Sequence, residues 1–185
     1  MRKAIIFDLD GTLADTMPTH LKACKVVFGK MGYDFPEDYF YAMAGVPTEV
    51  TFKDYLTKIN LNHDAHQLAI EKENTFLELL PEVKALDKVA EIARSNKGIV
   101  PMAVGSGGTK EVVEKTLKNI GFENFFDTIV TFEDVKNPKP HPDTFLLCAE
   151  KLNIEPADCV VYEDADLGIE AAKRAGMAFV DVREM

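Results

Sequence analysis

The sequence predicts a doubly wound α/β fold in which a small all-helical cap is inserted after the first strand of a parallel sheet. Two observations lead to this prediction. Short apolar runs alternate with helix-period segments over most of the 185 residues, and residues 15–80 interrupt that alternation with helix-period stretches alone. We therefore expect a core formed by residues 1–14 and 81–185, and a cap formed by residues 15–80.

Four short apolar runs, each ending in a polar or small residue, predict the buried strands. Helical patterns separate the later runs, as in TKEVVEKTLKNIG and GIEAAKRAG, which end at the helix-stop residues Gly121 and Gly176. Strands that alternate with helices in this way predict a parallel sheet with crossovers on both faces. The predicted strands are Lys3 to Asp8, Val100 to Ser106, Asp127 to Asp134 and Cys159 to Asp164.

The predicted cap consists of stretches such as HLKACKVVFGKMG, EVTFKDYLTKI and HQLAIEKENTFLELL. Prolines punctuate these stretches, as expected between short helices. We expect hinges near Leu13 to Thr16 and near Leu79 to Val83, where the chain leaves and rejoins the core. The prolines are Pro18, Pro36, Pro47 and Pro81.

The composition narrows the possible partners and location. A net charge of −10 argues against binding to nucleic acid or to an anionic membrane. The N-terminus has too few apolar residues for a signal peptide, and no stretch is long enough to span a membrane. Cys24, Cys148 and Cys159 have no spacing typical of zinc or disulfide sites, so we expect buried thiols. We expect a cytoplasmic monomer or weak dimer.

Acidic residues follow the first and last predicted strands, with Asp8 and Asp10 after one and Glu163 and Asp164 after the other. The carboxyl ends of parallel strands meet at one edge of a sheet, so these acids are expected to converge. Converging carboxylates need a compensating cation. Oxygen ligands without Cys or His favour Mg2+. Alone, Glu163 and Asp164 would equally fit a solvated loop or a helix cap.

The spacing of Asp8 and Asp10 fits two separate chemical roles, because both side chains project to the same side of an extended chain. One carboxylate can attack phosphorus, while the other protonates the leaving oxygen and later deprotonates water. These roles predict a raised pKa for Asp10 and an ionised, metal-bound Asp8. An isolated Asp-x-Asp pair at a strand end is also common as a cap.

Ser106 and Lys139 are candidate phosphate contacts. The Ser106 hydroxyl and nearby backbone N–H groups, including that of Gly107, fit phosphate oxygens at a helix N-terminus. A simple helix N-cap is the alternative for Ser106. Lys139 lies between two prolines, a stiff frame that can direct its ammonium toward developing charge, although an isolated lysine in such a turn is usually solvated.

Together, the runs DLDGT around Asp8, VGSGG around Ser106, NPKPHPD around Lys139 and EDADLG around Asp164 resemble the haloacid dehalogenase-like hydrolase superfamily. They occur in the family's order along the chain. The resemblance implies a Rossmann-like core with Asp8 as nucleophile and Asp10 as acid and base. It also implies phosphate contacts from Ser106 and Lys139, an Mg2+ ligand in Asp164 beside Asp8 and the Asp10 carbonyl, and a second or water-mediated ligand in Glu163. The motifs are DLDGTLADT (Asp8 to Thr16), VGSGG (Val104 to Gly108), NPKPHPD (Asn137 to Asp143) and EDADLGIEAAKRAG (Glu163 to Gly176).

Within that superfamily the chain resembles small bacterial fructose-1-phosphate phosphatases, in the subfamily that includes β-phosphoglucomutase. We therefore expect Mg2+-dependent hydrolysis of a small sugar phosphate through an aspartyl-phosphate. Thr16, His20 and Lys72 are candidate substrate-binding residues, although His20 also fits a surface or satisfied structural residue and Lys72 also fits a solvated helix face.

Two other functions stay open. His20 and Lys72 resemble residues of the mutase, but Thr48 in GVPTE replaces the arginine of the mutase pattern GVSRE, and it lacks the charge and fork geometry that hold a second phosphate. Hydrolysis is therefore favoured over phosphate shuttling. An inactive sugar-phosphate-binding or interaction module is the alternative from another class.

Overall fold

A five-stranded parallel sheet forms the centre of the protein, as shown by a computed structural model that describes residues 3–185. The strands in sheet order are β3-β2-β1-β4-β5, so the first strand is central. They are β1 (Ala4–Phe7), β2 (Met102–Gly105), β3 (Thr128–Val130), β4 (Cys159–Glu163) and β5 (Ala178–Asp181). The predicted α/β fold class is confirmed.

Helices supply both the crossovers and the segment inserted after β1. The inserted helices are α1 (Met17–Lys30), α2 (Glu37–Ala42), α3 (Thr48–Lys58) and α4 (Ala65–Leu79). The later helices are α5 (Asp87–Asn96), α6 (Lys110–Asn119), α7 (Asp143–Leu152) and α8 (Asp166–Arg174). None of the helices within residues 3–185 combines the length and apolar character needed to cross a membrane.

The central strand is buried on both faces because its side chains alternate between two apolar clusters. Ile5 and Phe7 pack into one cluster, and Ala4 and Ile6 pack into the other. Fully burying a side chain such as Phe7 contributes roughly 1.5–3 kcal/mol. This packing fixes the position of the residues that follow β1.

The inserted helices have an aromatic core of their own. Phe28, Phe35, Phe52 and Tyr55 are buried, and the centroids of the Phe28 and Phe52 rings lie 5.0 Å apart in an edge-to-face arrangement. Such ring pairs stabilise a small cluster beyond the area that they bury. The division into a core of residues 1–14 and 81–185 and a cap of residues 15–80 stays a prediction.

The predicted third strand is longer than the observed one. The strand ends at Val130, and a 3-10 turn covers Phe132–Asp134. The chain bends there because the Asp134 carboxylate accepts hydrogen bonds from the backbone N–H and hydroxyl of Thr131, at 2.8 and 2.9 Å.

Candidate active site

Asp8 follows β1 directly, and Lys139 reaches it from the loop between β3 and α7. The Lys139 ammonium lies 2.7 Å from Asp8 Oδ1 and 2.9 Å from Glu163 Oε1. All three side chains are buried, and the backbone N–H of Ala165 donates to Glu163 Oε2 at 2.8 Å. Glu163 therefore holds Lys139 against Asp8, and it is not part of a solvated loop.

Burial and neighbouring charges shift the pKa values of Lys139, Asp8 and Asp164. Burial opposes the ionised form of Lys139, but the charges of Asp8 and Glu163 outweigh it and raise the pKa of the ammonium. Burial and the charge of Glu163 raise the pKa of Asp8 well above its usual range. The same two causes raise the pKa of Asp164 to about 7. The carboxyl groups of Asp8, Glu163 and Asp164 outnumber the one ammonium of Lys139 in this group. This excess of acidic groups favours the binding of a further cation.

Asp8, Glu163 and Asp164 form a candidate metal site. One carboxylate oxygen from each residue lies within 4.8 Å of the others, and the Thr12 hydroxyl donates to Asp164 Oδ1 at 3.0 Å. The donors are hard oxygen atoms, so the site fits a hard divalent cation. Three of the four acids that were expected to converge therefore form one group at this edge of the sheet, and the Asp10 carboxylate is not part of it.

Gly11 permits the chain to turn after β1 and allows Asp164 to approach the backbone closely. Its φ is +86°, in the left-handed region that disfavours other residues, and a Cβ at this position would lie 2.3 Å from Asp164 Oδ2. Glycine is required here for both the backbone conformation and the close approach of the carboxylate.

The Asp10 carboxylate is held by partners outside the three-carboxylate group. Ser106 Oγ donates to Asp10 Oδ2 at 3.2 Å, and His20 Nε2 lies 3.2 Å from Asp10 Oδ1. Burial would raise the pKa of Asp10, but the hydrogen bond and electrostatic interaction with His20 outweigh it, and the pKa falls to about 2. The expectation of a raised pKa for Asp10 is therefore wrong in this arrangement, because the polar contacts exceed the cost of desolvation.

His20 on α1 and Lys72 on α4 are both buried, so the interpretation of Lys72 as part of a solvated helix face is wrong. Lys72 Nζ donates to His20 Nδ1 at 2.8 Å, which leaves the proton on Nε2 for donation to Asp10. Burial and the charge of Lys72 lower the pKa of His20 and keep its ring neutral. The ring stacks on Phe76 with centroids 3.8 Å apart. This chain of contacts connects α4 to Asp10.

A cavity of about 1020 Å³ lies between the inserted helices and the carboxyl edge of the sheet. Asp8, Asp10 and Lys139 line it, as do the predicted residues Gly107, His20, Lys72, Glu163 and Asp164. Many of its other lining residues are apolar, so the cavity encloses the acids in a partly dry environment.

Ser106 and Thr16 are fully buried and are not among the described residues that line this cavity. Thr16 Oγ1 lies beside Asp10 and helps to lower its pKa, but it makes no hydrogen bond of regular geometry. Ser106 does not cap α6, because the N-cap is Thr109, whose hydroxyl accepts from the Val112 N–H at 3.5 Å.

The contacts of two polar residues near the site, Thr12 and Glu73, were not predicted. The Thr12 hydroxyl donates a hydrogen bond to Asp164. The sequence feature that could have indicated this role is the position of Thr12 in the DLDGT run, shortly after Asp8 and Asp10. Glu73 Oε1 accepts hydrogen bonds from Lys72 Nζ and Thr48 Oγ1, each at 3.0 Å. The stretch IEKENT around Glu73 has the composition of a solvated helix face, so the sequence alone carried no signal for it.

The fold and this arrangement of residues define a class of protein. Residues 5–182 match the family model described as haloacid dehalogenase-like hydrolase, and the chain belongs to that family. The predicted family and the prediction of a hydrolytic enzyme are thereby confirmed.

Particular relatives cover nearly the whole chain. Fructose-1-phosphate phosphatase YqaB of Escherichia coli (strain K12) is 40% identical over 179 residues, which cover 97% of this chain and 95% of the relative. Phosphorylated carbohydrates phosphatase of Thermotoga maritima is 32% identical over 179 residues, which cover 95% of this chain and 82% of the relative. The crystal structure of β-phosphoglucomutase from Clostridium difficile matches with a TM-score of 0.87 at 29% identity, over 97% of this chain and 83% of that one.

Proposed function

We propose that this protein is an Mg2+-dependent phosphatase that hydrolyses a small sugar phosphate, similar to fructose 1-phosphate, through an aspartyl-phosphate on Asp8. The observation that carries the proposal is the buried contact of 2.7 Å between Asp8 and Lys139, inside a cavity that also contains Asp10. The printed names of the two phosphatase relatives support the substrate class.

In the first step, an Asp8 oxygen attacks the phosphorus of the bound ester in line with the leaving sugar oxygen. The bond from Asp8 to phosphorus forms while the bond from phosphorus to the sugar oxygen breaks. Lys139 offsets the charge on the phosphoryl oxygens. Asp10 donates a proton to the departing sugar oxygen, and the dianionic phosphate beside it favours the protonated acid that this step requires.

In the second step, Asp10 accepts a proton from water, and the water oxygen attacks the aspartyl-phosphate. This attack releases inorganic phosphate and restores the Asp8 carboxylate. Burial would raise the pKa of Asp10, but the contact with His20 outweighs burial and lowers it. The low pKa favours the ionised form that acts as the base. Ser106 and His20 orient the two oxygens of Asp10.

We assign the metal to the carboxylates of Asp8 and Asp164 and, by the family pattern, to the backbone carbonyl of Asp10. Both oxygens of Glu163 already accept hydrogen bonds, which favours a water-mediated contact for that residue. When bound, Mg2+ supplies positive charge that stabilises the phosphoryl oxygens.

We further propose that residues 15–80 act as a cap that excludes bulk water during the first step. The cap-side Gly45 carbonyl lies only 3.5 Å from where a Cβ on the core residue Gly107 would sit, so the two parts approach closely over the cavity. Substitutions at the hinges that hold the cap open should lower phosphate release. Unchanged release would contradict this role.

The mutase alternative is disfavoured by Thr48. Its hydroxyl donates to Glu73, and a threonine offers no charge to hold a second phosphate while an intermediate reorients.

The proposal is tested by Mg2+-dependent phosphate release from fructose 1-phosphate, glucose 6-phosphate, 6-phosphogluconate and β-glucose 1-phosphate. The wild type is compared with Asp8→Asn and with Asp87→Asn, a matched change at an exposed position of α5. Release that is lost only in Asp8→Asn is expected. Conversion of β-glucose 1-phosphate to glucose 6-phosphate with little free phosphate would indicate the mutase, and no reaction with any substrate would indicate the binding module.

A further inference from the structure

The Glu73 carboxylate, on α4, is fixed at the wall of the cavity. Its side chain is 22% exposed and lines the cavity that contains Asp8 and Asp10. Lys72 and Thr48 both donate to Oε1, each at 3.0 Å. No donor within residues 3–185 is hydrogen-bonded to the other oxygen, Oε2. Oε1 of Glu73 therefore accepts hydrogen bonds from the protein, and Oε2 is available to accept a hydrogen bond from a ligand.

The charge of Glu73 also changes what Lys72 can do. Burial would raise the pKa of Glu73, but the charge of Lys72 and the interaction with His20 outweigh it and lower the pKa, so the carboxylate is ionised at neutral pH. The Lys72 ammonium is thereby balanced, and its donors are directed to His20, Glu73 and Thr48. This wall of the cavity offers a hydrogen-bond acceptor and no net positive charge.

Glu73 and Asp10 line the same cavity, but other side chains lie between them. Three hydrogen bonds, through His20 and Lys72, separate Glu73 from Asp10, and Asp10 is the acid proposed for the ester oxygen. A substrate whose ester oxygen lies at Asp10 would therefore meet Glu73 with its remote end. A hydroxyl placed there can donate to Oε2, whereas a phosphate or carboxylate placed there faces a like charge.

We propose that Glu73 is a specificity-determining residue that selects monophosphates of neutral polyhydroxy compounds. Oε2 accepts a hydrogen bond from a hydroxyl at the remote end of the substrate, and the charge of the carboxylate disfavours compounds with a second anionic group at that end. This inference rests on the proposed phosphatase activity, and it narrows the substrate class of the same site.

The test compares fructose 1-phosphate with fructose 1,6-bisphosphate, which carry the same C1 ester and differ in charge at the remote end. Release of fructose from the first and of fructose 6-phosphate from the second gives kcat/KM for the same bond. We expect the wild type to prefer the monophosphate, and Glu73→Gln to reduce that preference by about tenfold. Glu73→Asp, which retains the charge, should retain the preference.

Glu78→Gln is the matched control, because it makes the same change on the same helix at an exposed position that does not line the cavity. It should leave the ratio of the two kcat/KM values unchanged. A merely structural role for Glu73 would lower both values together in Glu73→Gln. An unchanged ratio in Glu73→Gln would overturn the proposal.

Binding to variants that also carry Asp8→Asn separates this inference from the proposed function. Calorimetric Kd values for the two fructose phosphates, measured with Mg2+ present, report the same preference without turnover. If the wild type releases no phosphate, the phosphatase proposal fails, and the Kd ratio still tests Glu73. A Kd ratio that is the same in Asp8→Asn alone and in Asp8→Asn combined with Glu73→Gln would reject the role of Glu73 in selection.

Discussion

The Lys139 ammonium lies 2.7 Å from the Asp8 carboxylate, and the two side chains are only 2% and 7% exposed. A pair this deeply buried is costly to break, because each charge loses its partner without regaining water. The same contact therefore affects both the stability and the chemistry of the protein.

Lys139→Met should lower both activity and stability. Asp8 and Glu163 would be left buried without their cation, which is expected to lower the free energy of unfolding by roughly 3–5 kcal/mol. Loss of the ammonium at the phosphoryl oxygens should reduce kcat by about 100-fold or more. Urea unfolding and phosphate release check the two effects. Lys118→Met, an exposed change, should retain both properties, and equal losses in the two variants would contradict the role of Lys139.

Gly168→Ala should impair the site through Glu163. A Cβ at Gly168 would lie 1.6 Å from Glu163 Oε1, so the carboxylate must leave Lys139, and kcat should fall by about tenfold to hundredfold. Gly29→Ala is the control, because nothing lies within 4 Å of a Cβ there. In α1 that change should stabilise the protein by about 0.5–1 kcal/mol. Unchanged kcat in Gly168→Ala would argue against the positioning role of Glu163.

Mg2+ should stabilise the folded protein through Asp164. At about five times its Kd, a ligand that binds only the folded state adds about 1 kcal/mol, or about 2–4 °C in Tm for a protein of this size. Scanning calorimetry should show this rise for the wild type and for Asp166→Asn, and no rise for Asp164→Asn. Asp166 is a fair control because its side chain is 85% exposed. The same rise in all three proteins would place the ion elsewhere.

Asp134 should stabilise the protein only above acidic pH. The hydrogen bonds from Thr131 lower the pKa of Asp134 below its usual value of 3.8, so its contribution is present above that value and is lost as the pH falls through the folded-state pKa. Asp134→Asn should therefore be less stable than the wild type at neutral pH, and the gap should narrow as the pH falls below the usual value of 3.8. Urea unfolding across this range measures the gap. In a Thr131→Val background the pH dependence should shrink, and a gap that does not change with pH would contradict the linkage.

The parts of the fold that the sequence predicts well are those buried on both faces. β1, β2 and β4 lie within predicted apolar runs because helices cover both sides of them. β5 escaped prediction because none of its four residues is fully buried and Phe179 is 39% exposed, and a strand that is partly exposed needs no continuous apolar run.

The site was predictable where chemistry depends on residues next to strand ends, as for Asp8 and Asp164. It was less predictable where the environment comes from distant segments. The low pKa of Asp10 depends on His20 and Lys72, which approach it only after α1 and α4 have packed together. Glu73 likewise contacts Thr48 only after α3 and α4 have packed together. The residues next to Glu73 in the sequence therefore do not indicate this contact.

Thr12 and Asp164 are in contact although 152 positions separate them along the chain. During synthesis, the segment that carries Asp8 and Asp10 leaves the ribosome well before the loop after β4. An unfinished chain therefore has acids at the end of β1 but no partner for Thr12 and no Glu163 to hold Lys139. The site is therefore complete only after β4 and the loop that follows it have packed beside β1.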